Sequence, residues 1–156
     1  MAKFLAISGI FVGSTGIFFG FYFLTSNDIA LAVKIVTLST VGVVGVLAFV
    51  RHVIFHKSDA ERLGWETDRP DWMYEVGFAN LAFAVIAILS VFPDRGIVPQ
   101  ALVILGYALY LIQAGILHGY KYFTDEKKSF ARLFRSSIAT LLYAIMMSYF
   151  SFYVLF

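Results

Sequence analysis

The three histidines of this chain, His52, His56 and His118, each lie toward the end of an apolar stretch. His52 and His56 are four residues apart, so in a helix they share a face. His118 closes a later apolar run, and Glu75 opens another. Imidazole is the commonest metal ligand, and a carboxylate beside three of them completes coordination suited to zinc or iron. His52, His56, Glu75 and His118 are therefore the candidate ligands of a divalent transition metal. Each also has an explanation without a metal. Histidine suits a membrane interface, with an apolar body and a polar tip. His118 near a helix C-terminus and Glu75 near a helix N-terminus both complement the helix dipole. An H-x-x-x-H pair without the intervening Glu of a zinc-protease helix is a weak motif.

A second set of polar residues lies deeper in the apolar runs. Gly77, Asn80, Ala84 and Ala87 fall on one stripe of small residues, so Asn80 is expected to face a neighbouring helix and make interhelical hydrogen bonds. Glu75 sits about 140° around the same helix, so Glu75 and Asn80 do not form one catalytic pair. Tyr107, Leu111, Ala114 and His118 share a face of the next helix, and Gln113 needs a partner elsewhere. There is no Gly-rich phosphate loop, nucleophile elbow or H-E-x-x-H helix, and no catalytic residue is assigned.

The elements that must position these residues follow from composition. Of 156 residues 60% are hydrophobic and 14% charged, with 17 Phe and no Cys. Soluble domains average about 45–50% apolar and about 25% charged. A soluble fold this small cannot bury so much apolar surface. The chain is therefore read as an integral membrane protein, a single transmembrane helical domain over residues 1–156. The composition excludes a disordered chain and a nucleic-acid-binding domain. The lack of cysteine excludes disulfides, thiolate metal sites and a cysteine nucleophile.

Five apolar runs are long enough to cross about 30 Å of hydrocarbon. They cover about 4–24, 32–55, 74–92, 97–117 and 137–156. The first is too long for a signal-peptide core, and no Ala-x-Ala-like cleavage site follows it. Thr25-Ser26-Asn27-Asp28 and Pro93-Asp94-Arg95-Gly96 read as turns. Ser58-Asp59-Ala60-Glu61 fits a capping box, and Asp71 after Pro70 is the expected cap of the third run. Leu63, Trp65 and Met73 could then lay a short element on the membrane surface. No alternation typical of a membrane barrel occurs. The expected fold is an all-α bundle of five transmembrane helices.

Charge sorts along this bundle. Lys3, Arg51, Lys57, Arg62, Arg69, Lys121, Lys127, Lys128, Arg132 and Arg135 fall on one side, leaving Lys34 and Arg95 of the 12 basic residues on the other. The positive-inside rule then places the N-terminus in the cytoplasm and the C-terminus outside. Arg51 and Lys34, near the ends of the second run, are expected to snorkel toward headgroups. The cluster from Lys127 to Arg135 is expected to meet anionic lipid. Trp65 and Trp72, the only tryptophans, are expected as interfacial anchors. Gly9, Gly13, Gly16 and Gly20 on the first helix, with Gly77 on the third, are expected to let other helices approach closely.

Leu63-Gly64-Trp65 followed by Tyr74-Glu75-Val76-Gly77-Phe78-Ala79-Asn80-Leu81-Ala82 resembles a family of small prokaryotic integral membrane proteins of unknown function. That family carries a Leu-Gly-Trp element before a Glu-Val-Gly-x-Ala-Asn-Leu element opening a membrane helix. Here Glu66-Thr67-Asp68-Arg69-Pro70-Asp71-Trp72-Met73 replaces the usual small Ser- and Phe-containing spacer. The resemblance implies a shared role for Glu75, Gly77 and Asn80 and a place in a prokaryotic cytoplasmic membrane, with no activity attached.

Three functional readings follow from the residues. The first is a non-enzymatic packing or accessory subunit of a homo-oligomer or larger membrane complex, with the bilayer, itself or other membrane subunits as partners. The second is a metal-binding protein or metal-dependent membrane enzyme using His52, His56, Glu75 and His118. The third is a channel or transporter for a small solute, with Asn80 and Gln113 along its path. The absence of an inverted repeat and of charge along the spans places it last.

Overall fold

The computed structural model describes the chain except for residues 66–67, 94 and 125–129 and the side chain of Arg132. Asp94 of the second turn, Glu66 and Thr67 of the spacer, and Lys127 and Lys128 of the basic cluster therefore lie outside the described residues.

Five helices are long and apolar enough to cross a membrane: α1 (Ala2–Thr25), α2 (Ile29–Ile54), α4 (Asp71–Val91), α5 (Ile97–Thr124) and α6 (Phe134–Leu155). A short helix, α3 (His56–Leu63), follows α2, and one helical turn, Phe130–Leu133, leads into α6. No strand occurs among the described residues. At 1.5 Å per residue the five long helices measure about 31–42 Å, enough for the hydrocarbon core with a margin for the interfaces.

Several ends differ from those the apolar runs suggest. Helix α2 begins at Ile29 rather than 32, because Asp28 caps it, its side chain accepting from the Leu31 amide at 3.1 Å. Helix α5 runs on to Thr124, past His118. The capping-box expectation at Ser58-Asp59-Ala60-Glu61 is corrected. Helix α3 already starts at His56, with Phe55 before it and no side-chain cap, so Asp59 lies inside the helix. Pro70, not Asp71, precedes α4. Leu63 and Met73 are buried rather than laid on a membrane surface.

Helix α2 is not a uniform α-helix. It widens into π-helix over Thr37–Val43 and again over Val50–Ile54. In the first stretch the hydroxyls of Thr37, Ser39 and Thr40 donate to the carbonyls of Val33, Ile35 and Val36 at 2.8, 2.7 and 2.6 Å. Such back-bonding competes with the i−4 amides and bends helices. The second stretch carries Arg51 and His52 and ends at Phe55, where the backbone leaves helical geometry. Helix α3 turns back there and stops at Gly64, whose φ of 69° is the left-handed end that glycine adopts freely.

Small residues set the packing that follows. The stripe Gly77, Asn80, Ala84 and Ala87 is buried. It lies against α2, where a Cβ on Gly45 would come within 2.8 Å of the Asn80 carbonyl oxygen. Gly16 and Gly20 of α1 sit directly on Ser39 and Val36 of α2, and Gly13 sits on Tyr143 of α6. Gly9 is the exception, with no atom within 4 Å of where its Cβ would be. Helices α5 and α6 are tied by hydroxyl groups, Ser137 donating to the Gly115 carbonyl at 2.8 Å and Ser151 to that of Ala101. Val36, Val41, Ile104, Tyr107, Met147 and Phe150 belong to the core cluster, in the half of the bundle away from α3.

Candidate functional site: an arginine-lined cavity

A cavity of about 500 Å³ opens beside α3 and runs into the bundle between α1, α2, α4, α5 and α6. Its walls are built from the helix faces described above. Helix α5 contributes Tyr107, Leu111, Ala114 and His118, the face that the four-residue and three-residue spacings define. From His118 to Tyr107 is about 16 Å along the helix axis, half the thickness of a hydrocarbon core. Beyond Tyr107 the fully buried Val36, Val41, Ile104, Met147 and Phe150 close the interior. The cavity therefore ends there against the packed α2, α5 and α6 interior.

Charge gathers at the open end. Arg51, Arg62 and Arg135 line it, from α2, α3 and α6. No carboxylate lines it among the described residues. The balancing group is Asp59, which is fully buried one layer behind. Its Oδ1 lies 2.8 Å from Arg62 Nε and 3.4 Å from Arg51 Nε, and its Oδ2 lies 2.9 Å from His52 Nδ1. Burial alone would raise the Asp59 pKa, but the close His52 nitrogen and the charges of Arg51 and Arg62 outweigh it and hold the carboxyl below its ordinary 3.8. Asp59 is thus an anion at neutral pH, and it leaves three guanidinium groups facing one carboxylate.

The hydrogen bonds fix the roles within this cluster. Arg51 Nη2 lies 3.0 Å from His52 Nε2. A guanidinium only donates, so Nε2 accepts and the imidazole proton sits on Nδ1, toward Asp59. With Nε2 engaged by Arg51, His52 has no free ring nitrogen to act as a general base. The imidazole instead orients Arg51. Each guanidinium makes one hydrogen bond to protein: Arg51 Nη2 to His52, Arg62 Nε to Asp59 at 2.8 Å, and Arg135 Nε to the Ala131 carbonyl at 3.0 Å. All three line the cavity, and a guanidinium fork suits a planar, multidentate oxyanion such as phosphate or carboxylate.

Deeper in, Asn80 joins α4 to α5. Tyr107 Oη donates to Asn80 Oδ1 at 2.7 Å, while Asn80 Nδ2 donates to Tyr110 Oη at 3.0 Å and to the Val76 carbonyl at 2.7 Å. This network satisfies the amide and makes a polar floor under otherwise apolar walls. Gln113 also lines the cavity.

The four candidate metal ligands are not brought together. His52 faces Asp59. His56 bonds the Val53 carbonyl through Nδ1 at 3.0 Å and packs its ring edge on Tyr74. His118 stacks on Trp65 at 5.0 Å between ring centroids. Glu75 is exposed on the outward face of α4, five residues from the inward Asn80. Among the described residues no group of three His, Asp or Glu side chains is placed to hold a metal ion. The i, i+4 pair separates because the corner at Phe55 falls between His52 and His56. Trp65 and Trp72 meet at a tilt of 57°, 4.8 Å between ring centroids, and both line the cavity beside Arg62. Gly77 sits against Val53 and the His52 Cβ, so a side chain there would push the His52 segment away.

The sequence reading takes Arg51 as snorkelling, Arg62 as a topology determinant and Arg135 as part of a lipid-facing cluster, and gives Asp59 no role beyond its place inside a capping box. The available signal was Arg51 next to His52 inside an apolar run, since an ionisable residue within a span marks a functional site by default. Tyr110 and Tyr143, also in the cavity wall, carried no such signal.

A family model for a family of unknown function, DUF6790, matches residues 5–155. The chain belongs to this family. The DUF6790 match takes in all five long helices and every residue of the cavity described here. No curated protein and no solved structure matches the chain.

Proposed function

We propose that this DUF6790 member is an integral membrane protein of the cytoplasmic membrane that binds an anionic ligand, without transforming it, in a cavity open toward the cytoplasm. The observation that carries the reading is the convergence of Arg51, Arg62 and Arg135 on one cavity, where among the described residues Asp59 is the one carboxylate paired with any of them. Arg51 and Arg62 are half-buried and share the one Asp59 carboxylate, while Arg135 stands exposed at the mouth. Here the excess positive charge faces an enclosed volume large enough for a small molecule. The engaged Nε2 of His52 supports binding over catalysis. The orientation rests on the sorted Lys and Arg, which put the cavity mouth on the side richer in basic residues.

The chain supplies its own reporter. Its two tryptophans, Trp65 and Trp72, both line the cavity mouth. Protein reconstituted in phosphatidylcholine vesicles is titrated with inorganic phosphate and, separately, by raising the phosphatidic acid content of the vesicles. A saturable change in tryptophan emission with at least one of the two, weakened in Arg135→Gln, is expected. No saturable response to either overturns the reading.

A further inference from the structure

A small soluble anion would need only the arginine end of this cavity. Two features of the α1–α6 seam go further. First, α1 and α6 meet loosely. On this side the cavity wall is Leu5, Ala6, Gly9 and Ile10 of α1 facing Ala139 and Thr140 of α6. The open space at Gly9 shows that α1 does not close over it. Second, another cavity, of about 450 Å³, continues along the same seam. It shares Ser14 and Tyr143 with the first and is lined beyond them by Ile17, Phe18, Phe21 and Met146. From Leu5 to Ser14 the first cavity follows about 14 Å of α1, about half the hydrocarbon core and so one leaflet's depth, and the second carries the seam on to Thr25. One end of the seam is cationic and the rest is apolar, the pattern of a lipid standing in a leaflet.

We infer that the ligand is an anionic lipid with a phosphate monoester headgroup, its phosphate held among Arg51, Arg62 and Arg135 and its chain running along the α1–α6 seam. This rests on the anion-binding reading above and specifies the ligand. Charge selects the headgroup. Three guanidinium groups against the Asp59 carboxylate leave two positive charges, and a phosphate monoester carries about −1.5 to −2 at pH 7. A phosphodiester headgroup carries only one. The seam also supplies the entry route, because a lipid reaches the site sideways from the bilayer without passing Trp65 and Trp72 at the mouth.

The test uses full-length protein in phosphatidylcholine vesicles, read by tryptophan emission. Phosphatidic acid is expected to saturate the signal at a mole fraction at least tenfold below that needed of phosphatidylglycerol, a phosphodiester lipid of equal surface role. Arg135→Gln, whose side chain bonds only the Ala131 carbonyl, is expected to raise the phosphatidic acid half-point at least tenfold. Gly9→Leu, which fills open space at the seam, is expected to do the same with the fold intact. A response to inorganic phosphate with none to phosphatidic acid overturns the lipid inference and leaves the anion reading standing. So does a phosphatidic acid response unchanged by Gly9→Leu and matched by phosphatidylglycerol. Silence toward both phosphate and phosphatidic acid overturns the two together.

Discussion

Asp59 is the residue on which the rest of the cluster depends. It accepts from Arg62, faces His52 at 2.9 Å, lies beside Arg51, and has no exposed surface. Removing one partner from a buried ionic cluster strands the others, at about 3–5 kcal/mol. Asp59→Asn is therefore expected to lower stability in detergent by about 3 kcal/mol, the lower end because both arginines keep some contact with the cavity. Melting of the purified variant measures this. The same carboxyl gives a pH signature. Its folded pKa lies below the ordinary 3.8, so its stabilisation is full above that value and is lost as pH falls through the folded pKa. The wild-type melting temperature is expected to fall with acid below about pH 4, where the unfolded chain takes up the proton first. Asp59→Asn should lack that part of the slope. Asn80 sets the smaller scale of a neutral contact. Its two interhelical hydrogen bonds to tyrosines are worth about 0.6–2 kcal/mol each in a membrane bundle. Asn80→Ala is expected to destabilise by about 1–2 kcal/mol, and an unchanged melting curve would show the network to be idle. Asn80 was legible in the sequence because its small-residue stripe gave it a direction. Asp59 was not, because seven and eight residues of straight helix would hold it about 10 Å from His52 and Arg51 along the axis. Only the corner at Phe55 closes that distance.

At the scale of the elements, the apolar runs legible in the sequence became the five long helices because a backbone in hydrocarbon must bond within its own segment. What the runs did not reveal is how each helix deviates. The Thr37, Ser39 and Thr40 hydroxyls open α2 into π-helix, and the second π segment presents Arg51 and His52. Nor could the four-residue glycine spacing on α1 separate the glycines that touch a neighbour from the one that does not. Contact depends on how far α6 stands from α1, a tertiary quantity. The difference is measurable. Gly9→Ala adds a methyl in open space and gains helix propensity, so it is expected to stabilise by about 0.5–1 kcal/mol. Gly45→Ala forces α4 backbone away from α2 at the Asn80 carbonyl and is expected to destabilise by about 1–3 kcal/mol. Melting of the two variants side by side should give opposite signs. Equal effects would mean that α1 closes on α6 in solution and that the seam is not open.

At the scale of the whole molecule, orientation decides whether the cavity can do what its charges suggest. Arg51, Arg62 and Arg135 all stand at the end of the bundle where α3 lies. On the proposed topology basic residues serve two purposes there at once, holding that end in the cytoplasm and presenting a positive rim to the anionic cytoplasmic leaflet. The two roles agree only if the N-terminus is cytoplasmic. The absence of cysteine makes this directly testable, since any introduced thiol is the only one in the chain. Ser26→Cys lies in the turn between α1 and α2, and Asp68→Cys lies between α3 and α4, both at exposed positions. In intact cells a membrane-impermeant maleimide is expected to label Ser26→Cys and to reach Asp68→Cys only after permeabilisation. The reverse pattern would turn the arginine end toward the outer leaflet. It would remove the reason for ten of the 12 basic residues to share a side and, with it, the supply of anionic cytoplasmic lipid that the cavity requires. A lipid-binding site of this charge is therefore coupled to topology. Adding Lys to the α1–α2 turn, which opposes the natural bias, should weaken occupancy of the cavity in cells even though none of its lining residues has changed.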